Sequence, residues 1–164
     1  MKTYVITLSK VFPEKHPLHG KPTGFRESFE VGNKIHTIRA NFPLWKSRFD
    51  NISDGEGLIS VRQWLGKPYA SKHELVRDLK CEDRIGIQQL VFADGDIMKP
   101  NIVMEPDLFN PNTTYIPVTI YDLAANDGLS TNNWLDWFKN YDLTKPMAII
   151  HFTKFRYQFK TEKI

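Results

Sequence analysis

Six consecutive residues, Lys34-Ile35-His36-Thr37-Ile38-Arg39, put an amine, an imidazole, a hydroxyl and a guanidinium into one short stretch. A hydroxyl becomes a nucleophile when a nearby base takes its proton, and a desolvated lysine is such a base. A guanidinium holds a phosphate or carboxylate through paired hydrogen bonds. On an extended strand Lys34, His36 and Ile38 face one way and Ile35, Thr37 and Arg39 the other. Gly32-Asn33 directly precedes Lys34 and supplies a turn, and a bend there brings the Lys34 amine toward Thr37. The same six residues also read as an amphipathic strand with a polar outer face and no chemistry at all.

A second stretch, Ala124-Ala125-Asn126-Asp127-Gly128-Leu129-Ser130, offers one carboxylate. Asp-Gly is a common turn pair, so Asp127 reads as a turn residue. It reads equally as a carboxylate set at the mouth of a cleft. Elsewhere, Val61-Arg62-Gln63-Trp64 places Arg62 and Trp64 on one face of a strand, with Lys67 and Tyr69 close behind, as a candidate ligand-binding wall. Trp45, Trp64, Trp134 and Trp137 are the side chains able to stack on bases. Helical spacing assigns Trp134 and Phe138 to the core and leaves Trp137 half exposed. His16 and His19 form His-x-x-His in a proline-rich loop, but a zinc site needs further ligands at suitable spacing. Cys81 is alone and His151 lies in a β-prone run, so no metal centre and no cofactor are expected.

The elements that must position these groups follow from pattern. TYVITLS (3–9) favours a strand by its β-branched and aromatic content. VFPEKHPLHGKPTGF (11–25) is a long loop, and long loops in compact domains are often functional. Residues 34–39 are a short strand, and Trp45 to Phe49 a helical turn. Asp54-Gly55-Glu56-Gly57 is a turn, and LISVRQWL (58–65) a strand stopped by Gly66-Lys67-Pro68. Ser71-x-x-Glu74 fits a capping box ahead of the stripe Leu75, Val76, Leu79, which predicts a helix over 72–80. IGIQQLVF (85–92) is a strand and 93–113 an irregular excursion. TYIPVTIYDL (114–123) is β-rich, with Pro117 at an edge or bulge. Ser130 or Thr131 caps a helix carrying Trp134, Leu135 and Phe138, and MAIIHFTKFRYQF (147–159) is the closing strand. Five or six strands with two short helices and no βαβ alternation predict an α+β fold: a mostly antiparallel β-barrel with short flanking helices. No Gly-x-Gly-x-x-Gly and no phosphate-binding P-loop is present.

The 164 residues suggest one domain, with loop insertions near 11–25 and 93–113. No apolar run approaches the ~20 residues of a membrane span, and the N-terminus lacks the apolar stretch of a signal peptide. A cytoplasmic protein with no membrane partner is expected. The single cysteine excludes an internal disulfide framework. The net charge of +3 is unevenly placed: residues 1–50 carry nine basic and four acidic side chains, a local +5, whereas 51–100 and 101–164 are each −1. A basic first third attracts phosphates or other anions.

Taken together, these residues resemble the ASCH domain family, a branch of the PUA-like superfamily of small β-barrels. The likeness rests on Gly32, Lys34, Thr37, Ile38 and Arg39 after the first strand, and on Asp127-Gly128-Leu129-Ser130 leading into a helix and then a final strand. It spans about residues 25–157. PUA-like domains typically bind RNA or nucleotides at one side of the barrel, so the resemblance implies RNA, a nucleotide or a modified nucleoside as partner; the candidate ligand-binding residues read from the sequence are Arg39, His36, Arg62, Trp64 and Lys67. One ASCH-type group is similar to bacterial 4-acetylcytidine amidohydrolases, which use a Lys, a Thr and a Glu. By that likeness Thr37 is the nucleophile, Lys34 the base and Asp127 the acid in place of the Glu. A protein-interaction module built on the same scaffold is the third reading, since fold alone does not decide function.

Overall fold

The computed structural model describes residues 1–159. The fold is α+β. Among the described residues eight strands fall into two sheets, and four α-helices flank them. The first sheet has the order β1-β3-β4, from Lys2–Leu8, Gly57–Trp64 and His73–Leu79. Here β1 and β3 are parallel, β3 and β4 antiparallel, with an irregularity between Val61 and Arg62. The second sheet is antiparallel throughout, in the order β2-β8-β5-β6-β7, from His36–Ala40, Met147–His151, Gly86–Phe92, Pro100–Met104 and Thr114–Pro117. The helices are α1 (Phe25–Glu30), α2 (Phe42–Ser53), α3 (Ile120–Asn126) and α4 (Thr131–Phe138). Most of the pairs are antiparallel, as expected, and among the described residues no ladder joins the two sheets into one closed cylinder.

The second sheet is covered on both faces. Ala148, Ile150 and Phe152 pack with Ile6, Leu8, Phe25, Phe29, α2 and Val61. Their neighbours Met147 and Ile149 pack instead with Ile38, Leu90, Ile102, α3 and α4. Alternation along a strand sends successive side chains to opposite faces. That explains why β8, buried at all five positions, is apolar at its first four.

Several local expectations are corrected. The helix expected over 72–80 is β4. Ser71 Oγ accepts from the Gly66 N–H and donates to the Lys67 carbonyl, closing the β3–β4 hairpin rather than capping a helix. Glu74 pairs with Arg26 of α1. Pairing with β3 outweighs the helix propensity of Glu, Leu, Arg and Lys, as tertiary context commonly does. The helical turn at 45–49 is the middle of the 12-residue α2, started by Asn41, whose side chain accepts from Leu44 N, and anchored by Trp45, Phe49 and Ile52 at i, i+4, i+7. The excursion at 93–113 contains β6, formed where the turn through Ala93–Gly95 sends Ile102 back into the core. After β7, an edge strand ending at Pro117, Thr119 caps α3 instead of extending the strand. The closing strand stops at His151.

The proline-rich loop is not loose. Val11 bridges Pro22, and Phe12 and His16 are buried. His16 Nδ1 accepts from Leu18 N, so Nε2 carries the proton donated to the Asn133 carbonyl at 3.1 Å. Phe12 and His16 lie against Trp137, at ring separations of 5.8 and 6.1 Å.

Candidate functional site

Lys34 lies between α1 and β2, in a bend that two bonds define: its own N–H donates to the Ser28 carbonyl, and the Ile35 N–H to the Asn126 carbonyl. Strand β2 begins only at His36, so Lys34 escapes the alternation that an extended 34–39 would impose. Asp127 follows α3. The Leu129 N–H bonds the Ala124 carbonyl and the Gly128 N–H the Ala125 carbonyl, the two bonds of a Schellman stop. Gly128 takes φ +81, and a Cβ there would sit 3.3 Å from Lys34 Cβ. The glycine thus serves both the left-handed turn and the close passage of the lysine stem. Ser130 then caps α4, its side chain accepting from Asn133 N.

These two local structures bring the ends of the two motifs together. Lys34 Nζ donates to Asp127 Oδ1 and to the Asp127 carbonyl, both at 2.7 Å. The two residues are only 2% and 3% exposed. Lys34 Nζ also sits 4.2 Å above the Phe25 ring, a cation–π contact. Burial pushes the Lys34 ammonium below its usual range, and the Asp127 charge pulls it part of the way back. Burial pushes the Asp127 carboxyl up against the opposing pull of Lys34 and Arg39. Both shifts favour moving a proton out of the ammonium, which is what a lysine base needs.

Thr37 and Arg39 project from β2 toward the first sheet, on the same face as their partners Ile150 and Ala148. A cavity of about 20 Å³ is lined by Lys34, Thr37, Arg39 and Asp127, with Phe25, Leu129, Trp137 and the end of β1 as walls. That is space for one or two water-sized groups. Among the described residues the Thr37 hydroxyl makes no hydrogen bond, although the residue is 3% exposed. Half-buried Arg39 donates to the Thr7 carbonyl at 2.7 Å and makes no ion pair among the described residues. The bend at Lys34 therefore joins Lys34, Thr37, Arg39 and Asp127 in one cavity.

The remaining candidates lie elsewhere. His36 faces away from Thr37, into the side of the sheet that holds α3. It is fully buried, with Nε2 2.8 Å from the Tyr157 hydroxyl and its ring 5.7 Å from that of His151. Arg62 donates to Ser60 Oγ, and the Trp64 ring lies tilted against Tyr69 and edge-on to His73, at 5.3 and 5.1 Å. Lys67 stands exposed at the hairpin end. None of Arg62, Trp64, Lys67 or His36 lines the cavity. Leu129 belongs to the second motif, whereas two of the walls, Phe25 and Trp137, are residues the motifs do not point to. Only the half exposure expected of Trp137 hints at one of them.

The His36–His151 pair has a consequence for acid stability. Burial pushes His36 well below its usual range, with His151 and Lys34 adding to the effect. Burial, then Arg156, pushes His151 down to about 3. Between pH 6.5 and 3 the unfolded chain takes up protons that the folded one refuses, so stability is full above about 6.5 and falls with pH. For His151 the expected loss at pH 5 is about 2 kcal/mol. Urea unfolding at pH 7 and pH 5 checks it: the midpoint falls in the wild type and falls less in His151→Gln. A midpoint unchanged between the two pH values contradicts it.

Among the described residues no helix is long and apolar enough to cross a membrane. Comparison with protein-family models, curated proteins and solved structures returns no match.

Proposed function

We propose that the chain is an ASCH-type, PUA-like domain that binds an N-acylated pyrimidine nucleoside with its acyl group in this cavity and hydrolyses its amide. The observation that carries the reading is Thr37, a 3% exposed residue whose hydroxyl makes no hydrogen bond among the described residues, in the same cavity as the Lys34–Asp127 pair and Arg39. In the proposed reaction Lys34, as the free amine, takes the Thr37 hydroxyl proton while Oγ1 attacks the acyl carbonyl. Arg39, with N–H groups to spare, faces the oxyanion that develops. The C–N bond then breaks, the Lys34 ammonium returns the proton to the leaving amine nitrogen, and the acyl group remains on Oγ1 as an ester. Water, deprotonated by the same amine, attacks that ester; the acid is released and Thr37 regains its proton. Asp127 holds Lys34 in place and stabilises its charged form.

The small cavity favours the shortest acyl groups, with the base and sugar held outside it. The test is to incubate the protein with acetylcytidine and follow acetate release. Release above the uncatalysed background is expected, together with slower release from longer acyl chains. Absence of release at any pH between 6 and 9 overturns the hydrolase reading.

A second reading, retention of RNA, a nucleotide or a nucleoside without turnover, draws on Arg39, which holds a charge toward the cavity with no acidic partner among the described residues. Saturable binding of a nucleotide that weakens with salt, and no release of acetate, is its signature.

A further inference from the structure

Behind Asp127, on the side away from the cavity, lies a buried polar line that the proposed chemistry does not use. The Asn126 Nδ2 group donates to the Tyr157 oxygen at 3.0 Å, and that oxygen is 2.8 Å from His36 Nε2. The Tyr157 hydroxyl hydrogen has no other acceptor among the described residues. A buried hydroxyl left undonated is costly, so it points at His36 Nε2. His36 Nε2 is then an acceptor, and a neutral imidazole with an acceptor Nε2 carries its hydrogen on Nδ1. Burial keeps the imidazole neutral and the phenol protonated, both shifts acting in that direction. His36 Nδ1 is buried, makes no hydrogen bond, and stands 3.9 Å from Asp127 Oδ1, the oxygen that also accepts from Lys34.

We propose that His36 and Tyr157 are positioning residues for the Lys34–Asp127 pair: Tyr157 fixes the Nδ1–H tautomer of His36, and that N–H dipole holds Asp127 as the carboxylate that keeps Lys34 protonated. The significance for catalysis rests on the reading of Lys34 as the base; the tautomer and its effect on Lys34 do not. The charged and titratable groups facing the pair are few. Arg39 faces Lys34 and Asp127 from β2, and His151 faces His36 from β8. With Tyr157 replaced, His36 is free to carry its hydrogen on Nε2. The Nδ1 lone pair then faces Asp127, disfavours its negative charge and weakens its hold on the Lys34 proton.

The experiment uses nitrogen NMR of the histidine rings and the titration of the Lys34 side chain, in the wild type and in Tyr157→Phe, with no substrate present. The ring and the backbone bonds from Tyr157 to Gln88 remain in that variant. The wild type is expected to show His36 as the Nδ1–H tautomer. Tyr157→Phe is expected to gain Nε2–H population and to lower the Lys34 titration by about half a pH unit or more. An Nε2–H tautomer in the wild type, or coincident Lys34 titrations in the two proteins, overturns the proposal. Neither readout depends on acetate release, so failure of the hydrolase reading and failure of this one are separate results.

Discussion

Asp127→Asn is expected to cost about 3–5 kcal/mol of folding stability, far more than the loss of one methylene-sized contact. Among the described residues the carboxylate is the sole anionic partner of a lysine that is 2% exposed. Asparagine preserves the shape and the turn, and the Asp127 carbonyl still accepts from Nζ. The charge is what disappears, leaving an ammonium buried among Phe25, Leu129 and Trp137. The lysine can relieve this by losing its proton, so the destabilisation is smaller at high pH and grows as pH falls. Denaturant unfolding at pH 7 and pH 9 reads both the size and the trend. The double variant Lys34→Met/Asp127→Leu removes both charges and is expected to recover most or all of the loss, because buried pairs seldom out-stabilise apolar residues of similar size. A cost below 1 kcal/mol in Asp127→Asn contradicts the account of the pair.

Thr37→Ala is expected to lower kcat for acetylcytidine hydrolysis by about 10³-fold or more, the scale on which loss of a nucleophile acts. The site tolerates the change structurally. The hydroxyl makes no hydrogen bond among the described residues, and the backbone ladder with Ile150 stays in place. Stability is therefore expected to move by less than about 1 kcal/mol, since no buried partner is orphaned. Nucleoside binding should persist, because Arg39 and the aromatic walls remain. Steady-state kinetics and unfolding of the same preparation separate the two effects. An alanine variant that hydrolyses at the wild-type rate removes Thr37 from the reaction.

Much of the site was legible in the sequence because its two halves are local. Gly32 and the bend that follows lift Lys34 out of the strand alternation, so Lys34 and Thr37 reach one cavity from three residues apart. Asp127-Gly128 reads as a turn and as a carboxylate, and it is both: the Schellman stop of α3 is what points the carboxylate at Lys34. What the sequence concealed depends on distant partners. Glu74 and Leu75 look helical until β3 is beside them, and α2 shows only its central aromatic pair in a local window. His36 shares a six-residue motif with Thr37, but pleating turns it to the other face, where Tyr157 meets it from 121 residues away. Arg62 and Trp64 do share a face, yet that face belongs to the first sheet and does not reach the cavity.

In the proposed reaction the acyl group passes through Thr37 as a covalent ester. Rapid mixing with acetylcytidine, acid quenching and peptide mass spectrometry reads it directly. An added acetyl group is expected on the peptide containing Thr37, formed and lost during turnover in the wild type and absent in Thr37→Ala. Acetate release with no acetyl group ever found on Thr37, or with the group found on Lys34 instead, contradicts it.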